Sequence, residues 1–394
     1  MEYELRVVIV GAGIAGLAAA KGLQLVGCDV DVCERAPALE PIGAGISLSE
    51  NALNALDALG LYESVVKEAQ PIDRIELLDE AGKLIHATKL PGSSGNSVQL
   101  KMVALHRGDL QQALVSGLPG LAIHTGMECV GAQQTENQVH LAFGNGERVD
   151  ADLVLACDGV HSALRRAIFP QARERFAHYA CWRAVLRQSA LPMDPVCITE
   201  TWGPGKRFGI AALPEDRIYW FACCGSERMN DPALAKIDLS SLQALFADFH
   251  HPIPEVLRKT PSEAVIWTDI IDLSPLPSFV RGRVVLLGDA AHAVTPDLGQ
   301  GAGLAIEDAA VLAAQLRHHD LDAALRGYDA QRVARARRIA SSSRSYAAVA
   351  QWRHPVLVAL RNSLARKIPE KLLEWQLSSI FDYRIDGVAS AVDR

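Results

Sequence analysis

A glycine-rich turn near the start of the chain restricts the fold more than any other feature. The largely apolar run from Leu5 to Val10 predicts a buried strand, and Gly11-Ala-Gly13-Ile-Ala-Gly16 follows it directly. A helical run to about Val26 comes next, and Val30 to Glu34 predicts a second strand. GxGxxG alone is weak evidence, but here a strand precedes it, a helix follows, and an acid stands about 20 residues on. The stretch predicts a parallel βαβ unit that binds a dinucleotide.

The glycines and the acid have separate roles in such a unit. Gly11 allows the tight turn, Gly13 lets the chain approach a pyrophosphate, and Gly16 lets helix and strand pack closely. Glu34 would accept hydrogen bonds from the adenosine ribose. An acid with Arg35 beside it is common to FAD-binding and NAD-binding proteins, so this fingerprint leaves both cofactors open.

A second glycine-rich stretch lies between Arg281 and Ala310. The apolar run from Val284 to Leu287 predicts a short buried strand that ends at Gly288-Asp289. Asp289 would then lie at the carboxyl end of a strand, where open α/β sheets bind their ligands. Its carboxylate is expected to accept hydrogen bonds from sugar hydroxyls.

The same stretch continues into a loop and a helix predicted to begin near Ala302. Pro296 would form a wall of the ligand site. Gly299, Gly301 and Gly303 would let the backbone approach a flat ligand, and free N–H groups at the helix start can hold an anion. The alternative is a glycine-rich turn of the kind found in any α/β protein.

Two further segments are candidates for dinucleotide contacts. Gly45 and Ser47 belong to a stretch of small residues, Pro41 to Ser47, that is predicted to be a loop. Such a stretch suits a chain lying against a flat ring, although an ordinary βα connection has the same composition. Arg107 begins a helix predicted to run through Leu118. A cation there is placed for a phosphate, or is a solvated helix charge.

Further strands are predicted after this helix. Leu121 to Val130 and Val139 to Phe143 are expected to form a hairpin-like layer, with Gly144-Asn145-Gly146 as a turn. Leu153 to Ala156 predicts a buried strand that ends in Cys157-Asp158-Gly159. From its position alone, Asp158 is a helix N-terminal residue.

The pattern changes to short, strand-like segments in two places, Pro71 to Leu100 and about His178 to Val265. An antiparallel sheet inserted into a nucleotide-binding fold usually forms the wall of a substrate site at the domain boundary. We therefore expect these two segments to form a substrate domain.

The composition excludes several classes of protein. A formal net charge of −7 argues against a nucleic-acid partner. No apolar run approaches the roughly 20 residues of a membrane span, and the acidic start, Met1 to Glu4, is unlike a signal peptide. The eight cysteines are scattered without CxxC or metal-ligand spacing. We expect a cytoplasmic protein with reduced thiols, no disulfide framework and no metal.

The C-terminal segment, Gln351 to Arg384, mixes apolar residues such as Leu360 and Trp375 with basic ones such as Arg353 and Lys367. Such a segment could make weak contact with a membrane surface or cover the mouth of a hydrophobic pocket. The alternative is that it packs on its own domain.

The motifs occur in the order and spacing of one family. GxGxxG with Glu34, Arg107, the Asp158-Gly159 pair and the GD…P…GQG stretch resemble the single-component FAD monooxygenases of the para-hydroxybenzoate hydroxylase superfamily. The resemblance covers nearly the whole chain. It implies an α/β fold in which a Rossmann-like FAD-binding domain of the glutathione-reductase type carries an inserted antiparallel β-sheet substrate domain and C-terminal helices.

The resemblance also implies domain boundaries and FAD-binding residues. The FAD-binding domain would take 1–70, 101–177 and 275–330, the substrate domain 71–100 and 178–274, and a C-terminal helical segment 331–394. The residues expected at FAD are Gly11, Gly13, Ala15, Gly16, Glu34, Arg35, Gly45, Ser47, Arg107, Cys129, Asp158, Asp289, Gly299, Gly301, Ala302 and Gly303.

The implied reaction inserts oxygen into an aromatic ring. FAD would be reduced by NADH or NADPH and react with O2 at its C4a carbon, and the resulting flavin hydroperoxide would transfer oxygen to an electron-rich ring. The cofactor carries the hard chemistry, while the protein binds it, excludes water and orients the ring. Pro296 would shape the cavity where oxygen reacts. No second GxGxxG context is found, so no separate NAD(P)H domain is expected.

Arg207 and Tyr219 resemble a substrate-controlling Arg and Tyr of FAD-dependent urate hydroxylases. Arg207 could hold a carbonyl or enolate oxygen, and Tyr219 could pass a proton; the alternative is an exposed sheet charge and a core tyrosine. Cys181-Trp182-Arg183 departs from the Trp-Asn-Gly of the urate enzymes. With the C-terminal segment, it is more similar to alkyl-quinolone 3-hydroxylases. We therefore favour a bicyclic N-heteroaromatic substrate, with or without an alkyl chain.

Two rival functions stay open. A decarboxylative hydroxylase of a salicylate-like acid would use a similarly placed Arg. A non-catalytic interaction module that keeps FAD as a structural ligand would show no substrate-stimulated NAD(P)H consumption.

Overall fold

The computed structural model describes residues 5–40, 43–90, 100–187, 191, 193–369, 372 and 378–385. In chain order, the strands of these residues are β1 (Arg6–Val10), β2 (Asp29–Cys33), β3 (Gly45–Ser49), β4 (Gln70–Pro71), β5 (Arg74–Asp79), β6 (Leu84–Lys89), β7 (Met102–His106), β8 (Ala122–His124), β9 (Cys129–Gln134), β10 (Val139–Phe143), β11 (Arg148–Ala151), β12 (Leu153–Ala156), β13 (Glu174–Arg187), β14 (Cys197–Gly203), β15 (Lys206–Leu213), β16 (Arg217–Gly225), β17 (Ile266–Leu273), β18 (Val280–Arg281) and β19 (Val284–Leu286). The helices are α1 (Ile14–Leu25), α2 (Glu50–Ala58), α3 (Tyr62–Val66), α4 (Arg107–Ser116), α5 (Ala163–Ile168), α6 (Pro232–Ala235), α7 (Leu239–Leu245), α8 (Ile253–Lys259), α9 (Asp289–His292), α10 (Gly301–His318), α11 (Leu321–Ala350) and α12 (Pro355–Ala365).

The nucleotide-binding unit is built on a six-stranded sheet in the order β18-β19-β12-β1-β2-β8. All its neighbouring strands are parallel except β18 and β19. Successive residues Val7 to Val10 are all buried, so both faces of the sheet are covered. The same core contains side chains of α1, of α10 and of the antiparallel sheet β11-β10-β9.

One predicted strand is wrong. Leu121 to Val130 is not a single strand of a hairpin-like layer: β8 pairs in parallel with β2 in the main sheet, whereas β9 pairs with β10 in the three-stranded sheet. Gly126, with φ of +72°, lies between β8 and β9. Local alternation does not reveal this change of sheet, because both segments are short and strand-like.

The inserted sheet has seven strands in the order β17-β13-β16-β15-β14-β5-β6. Its strands come from 74–89 and 174–273, and all neighbours are antiparallel except β14 and β5. Alternate side chains of its central strands, such as Trp182, Phe208 and Trp220, form a separate core with residues of α7 and α8. The side chains between them point to the opposite face of the sheet, and this face meets the nucleotide-binding unit.

The architecture confirms the predicted fold class, a nucleotide-binding α/β unit with an inserted sheet and C-terminal helices. Two predicted boundaries cut through elements: β13 begins at Glu174, before residue 178, and α11 runs without interruption past residue 330. Among the described residues, no helix is long and apolar enough to cross a membrane.

Candidate active site

Three predicted motifs meet at one edge of the six-stranded sheet. Val10, Ala156 and Leu286 are the last residues of β1, β12 and β19, and they lie side by side in register. The GxGxxG turn, Asp158-Gly159 and Gly288-Asp289 therefore all begin close to this edge. This is the ligand-binding edge of an open α/β sheet.

A cavity of about 540 Å³ extends from this edge to the free face of the seven-stranded sheet. It brings together most of the predicted site residues. Those that line it are Gly13, Ala15, Gly45, Ser47, Arg107, Arg207, Tyr219, Asp289, Pro296, Gly299, Gly301 and Ala302. The remaining predicted residues are outside its lining.

Steric contacts assign different roles to the glycines of the first turn. Gly11 has φ of +107°, and a Cβ there would overlap the carbonyl of Cys157. A Cβ at Gly16 would overlap the carbonyl of Gly11, whereas one at Gly13 would meet nothing within 4 Å. Gly11 and Gly16 are thus required by the fold itself. Gly13 instead leaves open space at the start of α1, where a pyrophosphate would lie.

Glu34 is held by the backbone just after β2. Its carboxylate accepts hydrogen bonds from the N–H groups of Ala12, at 2.7 Å, and Ala36, at 2.9 Å. Each oxygen keeps a further acceptor position for a ribose hydroxyl. Arg35 is exposed and does not line the cavity.

Asp289 and the start of α10 border the same cavity. Asp289 is the first residue of α9 and is exposed. Gly299 has φ of +62°, which bends the chain into α10, and a Cβ there would lie 3.1 Å from Ser47 Oγ. The glycines of this start leave its N–H groups accessible to an anion. Gly303, in contrast, packs against Asn51 of α2.

A buried charge cluster holds this segment in place. Arg332 of α11 donates to Asp308 at 2.6 Å and to Glu307 at 2.7 Å. Arg335 donates to Glu307 at 2.9 Å. Asp308 also accepts a hydrogen bond from the N–H of Gly288 at 2.8 Å. The two acids of α10 therefore connect α11 to the turn that presents Asp289.

Both acids are ionised despite their burial. Burial alone would raise the pKa of Glu307, but Arg332 and Arg335 bring that pKa below its ordinary value. Burial acts in the same direction on Asp308, and His292 and Arg332 lower its pKa below the ordinary value.

Asp158 does not line the cavity itself, but it holds the start of α5 beside it. Its carboxylate accepts hydrogen bonds from the N–H groups of Ala163, at 2.8 Å, and Leu164, at 3.3 Å, at the start of α5. Arg165 of the same helix donates to the carbonyl of Ala290 at 3.3 Å. The contacts of Asp158 agree with a helix N-terminal role, and Gly159 beside it lines the cavity.

Cys129 is also outside the cavity lining. It is buried in β9, and its thiol lies 3.6 Å from the carbonyl of Gly131. Burial raises the pKa of this thiol to about 11.

Arg207 is not an exposed sheet charge. Its side chain is 2% exposed and donates to Glu200 at 3.1 Å and to Asp297 at 2.5 Å. Tyr179 donates to the other oxygen of Asp297 at 2.7 Å. Two carboxylates therefore neutralise Arg207, which limits its capacity to bind a further anion.

Arg183 is a cavity residue that the sequence analysis did not select. It lies on β13, is half-buried, and donates to the neutral hydroxyl of Thr268 at 2.9 Å. Its charge is therefore less compensated than that of Arg207. The alternation of β13 is the signal that could have identified it, because Arg183 falls on the opposite face from the core residue Trp182.

Tyr219 of β16 is half-buried at the cavity wall. A Cβ on Gly45 would overlap its ring, so β3 and the ring pack directly against each other. Burial raises the pKa of the Tyr219 hydroxyl well above its ordinary value. The hydroxyl therefore stays protonated and can donate a hydrogen bond.

These features fit FAD. The open space at Gly13 and the start of α1 would take the pyrophosphate, Glu34 the ribose, Asp289 the ribityl hydroxyls, and the backbone from Gly299 to Ala302 the flavin ring. Beyond the flavin, the cavity wall is formed by the inserted sheet. The fold and the site thus define a flavoprotein that holds a small molecule beside its cofactor.

Comparison with known proteins agrees with the conclusion that this is a flavoprotein. Residues 4–343 match the family described as FAD binding domain. The aurachin C monooxygenase/isomerase of Stigmatella aurantiaca is 35% identical over 98% of this chain and 97% of that protein. The 2-heptyl-3-hydroxy-4(1H)-quinolone synthase of Pseudomonas aeruginosa is 34% identical over 93% of this chain and 94% of that protein.

A solved structure shares the whole architecture. Klebsiella pneumoniae HpxO complexed with FAD and uric acid superposes with a TM-score of 0.87 at 27% identity, covering 97% of each chain. The chain belongs to the FAD-binding-domain family of flavoprotein monooxygenases. It is an FAD-dependent hydroxylase of aromatic substrates that uses NAD(P)H, as the motifs predict.

Proposed function

We propose that this protein hydroxylates a 4-quinolone that carries an alkyl chain, at the ring carbon next to the carbonyl. One relative supports this choice, because a 2-alkyl-3-hydroxy-4-quinolone is the product in its name. The observation that carries the proposal is the cavity wall. On the inserted sheet it combines a partly compensated cation, Arg183, with apolar residues for a chain and ring: Ile198, Ala211, Phe221 and Ile266.

The side chains of the wall have distinct proposed roles. FAD, when bound, supplies oxygen activation with electrons from NAD(P)H. Arg183 donates hydrogen bonds to the ring carbonyl oxygen and stabilises the negative charge that develops there as the neighbouring carbon is attacked. Tyr219 donates a proton or hydrogen bond at the reacting edge. Pro296 shapes the wall on the cofactor side.

Arg207 has an indirect role in this proposal. Its pairs with Glu200 and Asp297 join the inserted sheet to the segment that contains Pro296. It therefore positions the wall rather than carrying the substrate's charge. The overall reaction consumes substrate, O2, NAD(P)H and a proton, and yields the hydroxylated ring, water and NAD(P)+.

The test is NADH and NADPH oxidation by FAD-loaded protein, with product mass recorded. The additions compared are 2-heptyl-4-quinolone, unsubstituted 4-quinolone, urate and salicylate. We expect the alkylated quinolone to stimulate oxidation most and to gain one oxygen atom. Stronger coupled turnover of urate, or CO2 release from salicylate, would contradict the substrate. No stimulated oxidation by any of them would overturn the proposed substrate and leave the monooxygenase assignment intact.

We also propose that α12 makes weak contact with an anionic membrane surface in the cytoplasm. Its inner side packs on the inserted sheet, with the Arg361 guanidinium 4.7 Å from the Trp202 ring. Its outer side exposes Val356 by 67%, Leu360 by 49% and Leu364 by 57%. This outer stripe, with exposed basic residues at both ends of the helix, fits an interfacial helix. The predicted residue Trp375 lies outside the described residues.

Vesicle sedimentation tests this contact. Leu360→Asp with Leu364→Asp removes the apolar stripe and adds repulsion from anionic lipid, so it should abolish binding to phosphatidylserine vesicles while the detergent-free turnover rate stays unchanged. Equal binding of the double variant and the wild type, or equal binding to neutral phosphatidylcholine vesicles, would contradict an electrostatic interfacial contact.

A further inference from the structure

Two cysteines lie directly opposite each other in the wall of the cavity. Cys181 of β13 and Cys223 of β16 are paired residues of an antiparallel ladder. Both line the cavity, and both are almost inaccessible to outside solvent, with 4% and 2% exposure. They are far apart in sequence, and only the pairing of β13 with β16 brings them together.

The geometry of such a pair suits a disulfide. Directly opposed residues of antiparallel strands have Cα atoms about 4.5–5.5 Å apart, and disulfides span Cα separations of about 4.4–6.8 Å. Cys181 and Cys223 are both free thiols. No large movement of the backbone is therefore needed to join them.

The two thiols differ in reactivity. The neighbouring Cys223 thiol, together with the positive charges of Arg183 and Arg207, lowers the pKa of Cys181 below its ordinary value. The neighbouring Cys181 and burial raise the pKa of Cys223. Because the thiolate is the form that attacks peroxide, Cys181 is the expected nucleophile and Cys223 the resolving thiol.

We propose that Cys181 and Cys223 form a peroxide-sensitive dithiol that is oxidised to a disulfide during uncoupled turnover. When O2 is reduced without hydroxylation of a substrate, it leaves as hydrogen peroxide inside the cavity. The Cys181 thiolate attacks one peroxide oxygen, the O–O bond breaks, and hydroxide leaves, giving a sulfenic acid. Cys223 then displaces the sulfenic oxygen as water, and the disulfide forms. In sum, two thiols and one peroxide give one disulfide and two waters.

The burial of the pair decides its specificity. Bulky oxidants and bulky cellular thiols have little access to either sulfur, whereas small molecules that enter the cavity, such as hydrogen peroxide or dithiothreitol, can reach both. Peroxide formed in the cavity is released directly beside them. The bond would lock β13 to β16 across the substrate wall and remove two thiols from it. Substrate binding should therefore suffer, while the FAD contacts at the sheet edge stay intact.

The first experiment uses the unmodified FAD-loaded protein and maps its thiols by alkylation and peptide mass. One sample turns over NAD(P)H in air without aromatic substrate and with catalase present; another receives hydrogen peroxide without NAD(P)H. We expect both to yield a Cys181–Cys223 disulfide, two hydrogen atoms lighter, with loss of substrate-stimulated turnover that dithiothreitol reverses. The peroxide-only sample needs no catalysis, so it tests the dithiol even if the proposed substrate is wrong.

Variants separate the two thiols from their neighbours. Cys223→Ala should leave a sulfenic acid on Cys181 that dimedone traps. Cys224→Ala is the matched control, because Cys224 follows in the same strand but packs on the other face; it should form the disulfide normally. The proposal is overturned if Cys181 and Cys223 stay reduced while other cysteines are oxidised, or if Cys181 reaches the sulfinic acid without forming the disulfide.

Discussion

The guanidinium of Arg207 lies 2.5 Å from the carboxylate of Asp297, and this ion pair joins the inserted sheet to the cofactor-binding segment. Asp297 is fully buried and follows Pro296 directly. Arg207 was predicted to hold the substrate, but its charge is largely taken up by this structural ion pair. Arg183 lines the same cavity from β13, two strands away in the inserted sheet, and is the better candidate for the substrate's oxygen.

The first prediction separates these two arginines. Arg207→Met should lower the free energy of unfolding by about 3–5 kcal/mol, because it leaves a buried carboxylate unpaired. Arg183→Met should leave the free energy of unfolding and FAD content near wild type but raise KM for the aromatic substrate. Urea unfolding and steady-state kinetics measure the two effects. Equal stability losses, with unchanged KM in both variants, would refute the assignment.

Gly13→Ala should weaken FAD binding without harming the apoprotein. The added methyl group meets no protein atom within 4 Å, so it can only obstruct the cofactor. We expect a loss of at least about tenfold in affinity, equal to about 1.4 kcal/mol, measured by fluorescence titration. Gly131→Ala, which also meets no atom within 4 Å, is the control and should bind FAD normally.

Asp289→Asn should release FAD more readily. It removes the charge from the proposed hydrogen bonds to the ribityl hydroxyls, and hydrogen bonds to charged groups are worth about 1.5–3 kcal/mol each. Flavin content after dialysis is the measurement. Asp322→Asn, in the first turn of α11 and 72% exposed, is the matched surface change. An unchanged flavin content in Asp289→Asn would remove this residue from the ribityl site.

Arg332→Met should be strongly destabilising. Arg332 is fully buried between Glu307 and Asp308, and breaking a buried pair costs about 3–5 kcal/mol. Arg338→Met, at an exposed position of the same helix, should stay within about 0.5 kcal/mol of wild type. Thermal and urea unfolding of both FAD-loaded variants would show the difference. If the two variants unfold alike, the cluster does not hold the segment.

Lowering the pH should remove the contribution of the same buried charge cluster to the free energy of unfolding. The pKa values of Glu307 and Asp308 lie below their ordinary values of 4.5 and 3.8. Their contribution to stability is therefore complete above those values and is lost as the pH falls through the lower, folded-state values. Urea unfolding between neutral pH and pH about 3 should show a steeper acid loss for wild type than for Arg332→Met. Parallel curves would mean that these acids are not held by Arg332.

The local motifs were predictable because each depends on a short stretch of chain. The GxGxxG turn, the strand before it and the helix after it follow from periodicity and from glycine's small size. The Gly288-Asp289 turn and the start of α10 were found in the same way. The alternation of the inserted strands also predicted an antiparallel sheet. In the nucleotide-binding unit, by contrast, β8 and β9 were predicted as one strand, and that prediction is wrong.

The sequence by itself thus determined the class of the protein and its cofactor, and it predicted the edge of the sheet at which we propose that the cofactor binds. Only the tertiary structure decided the partners of each charge. Arg207 meets Asp297, Arg332 meets Asp308, and Cys181 meets Cys223 through contacts between residues 24 to 90 positions apart. Electrostatic and thiol chemistry depends on distances of a few ångströms, and no spacing along the chain specifies them until helices and strands have packed.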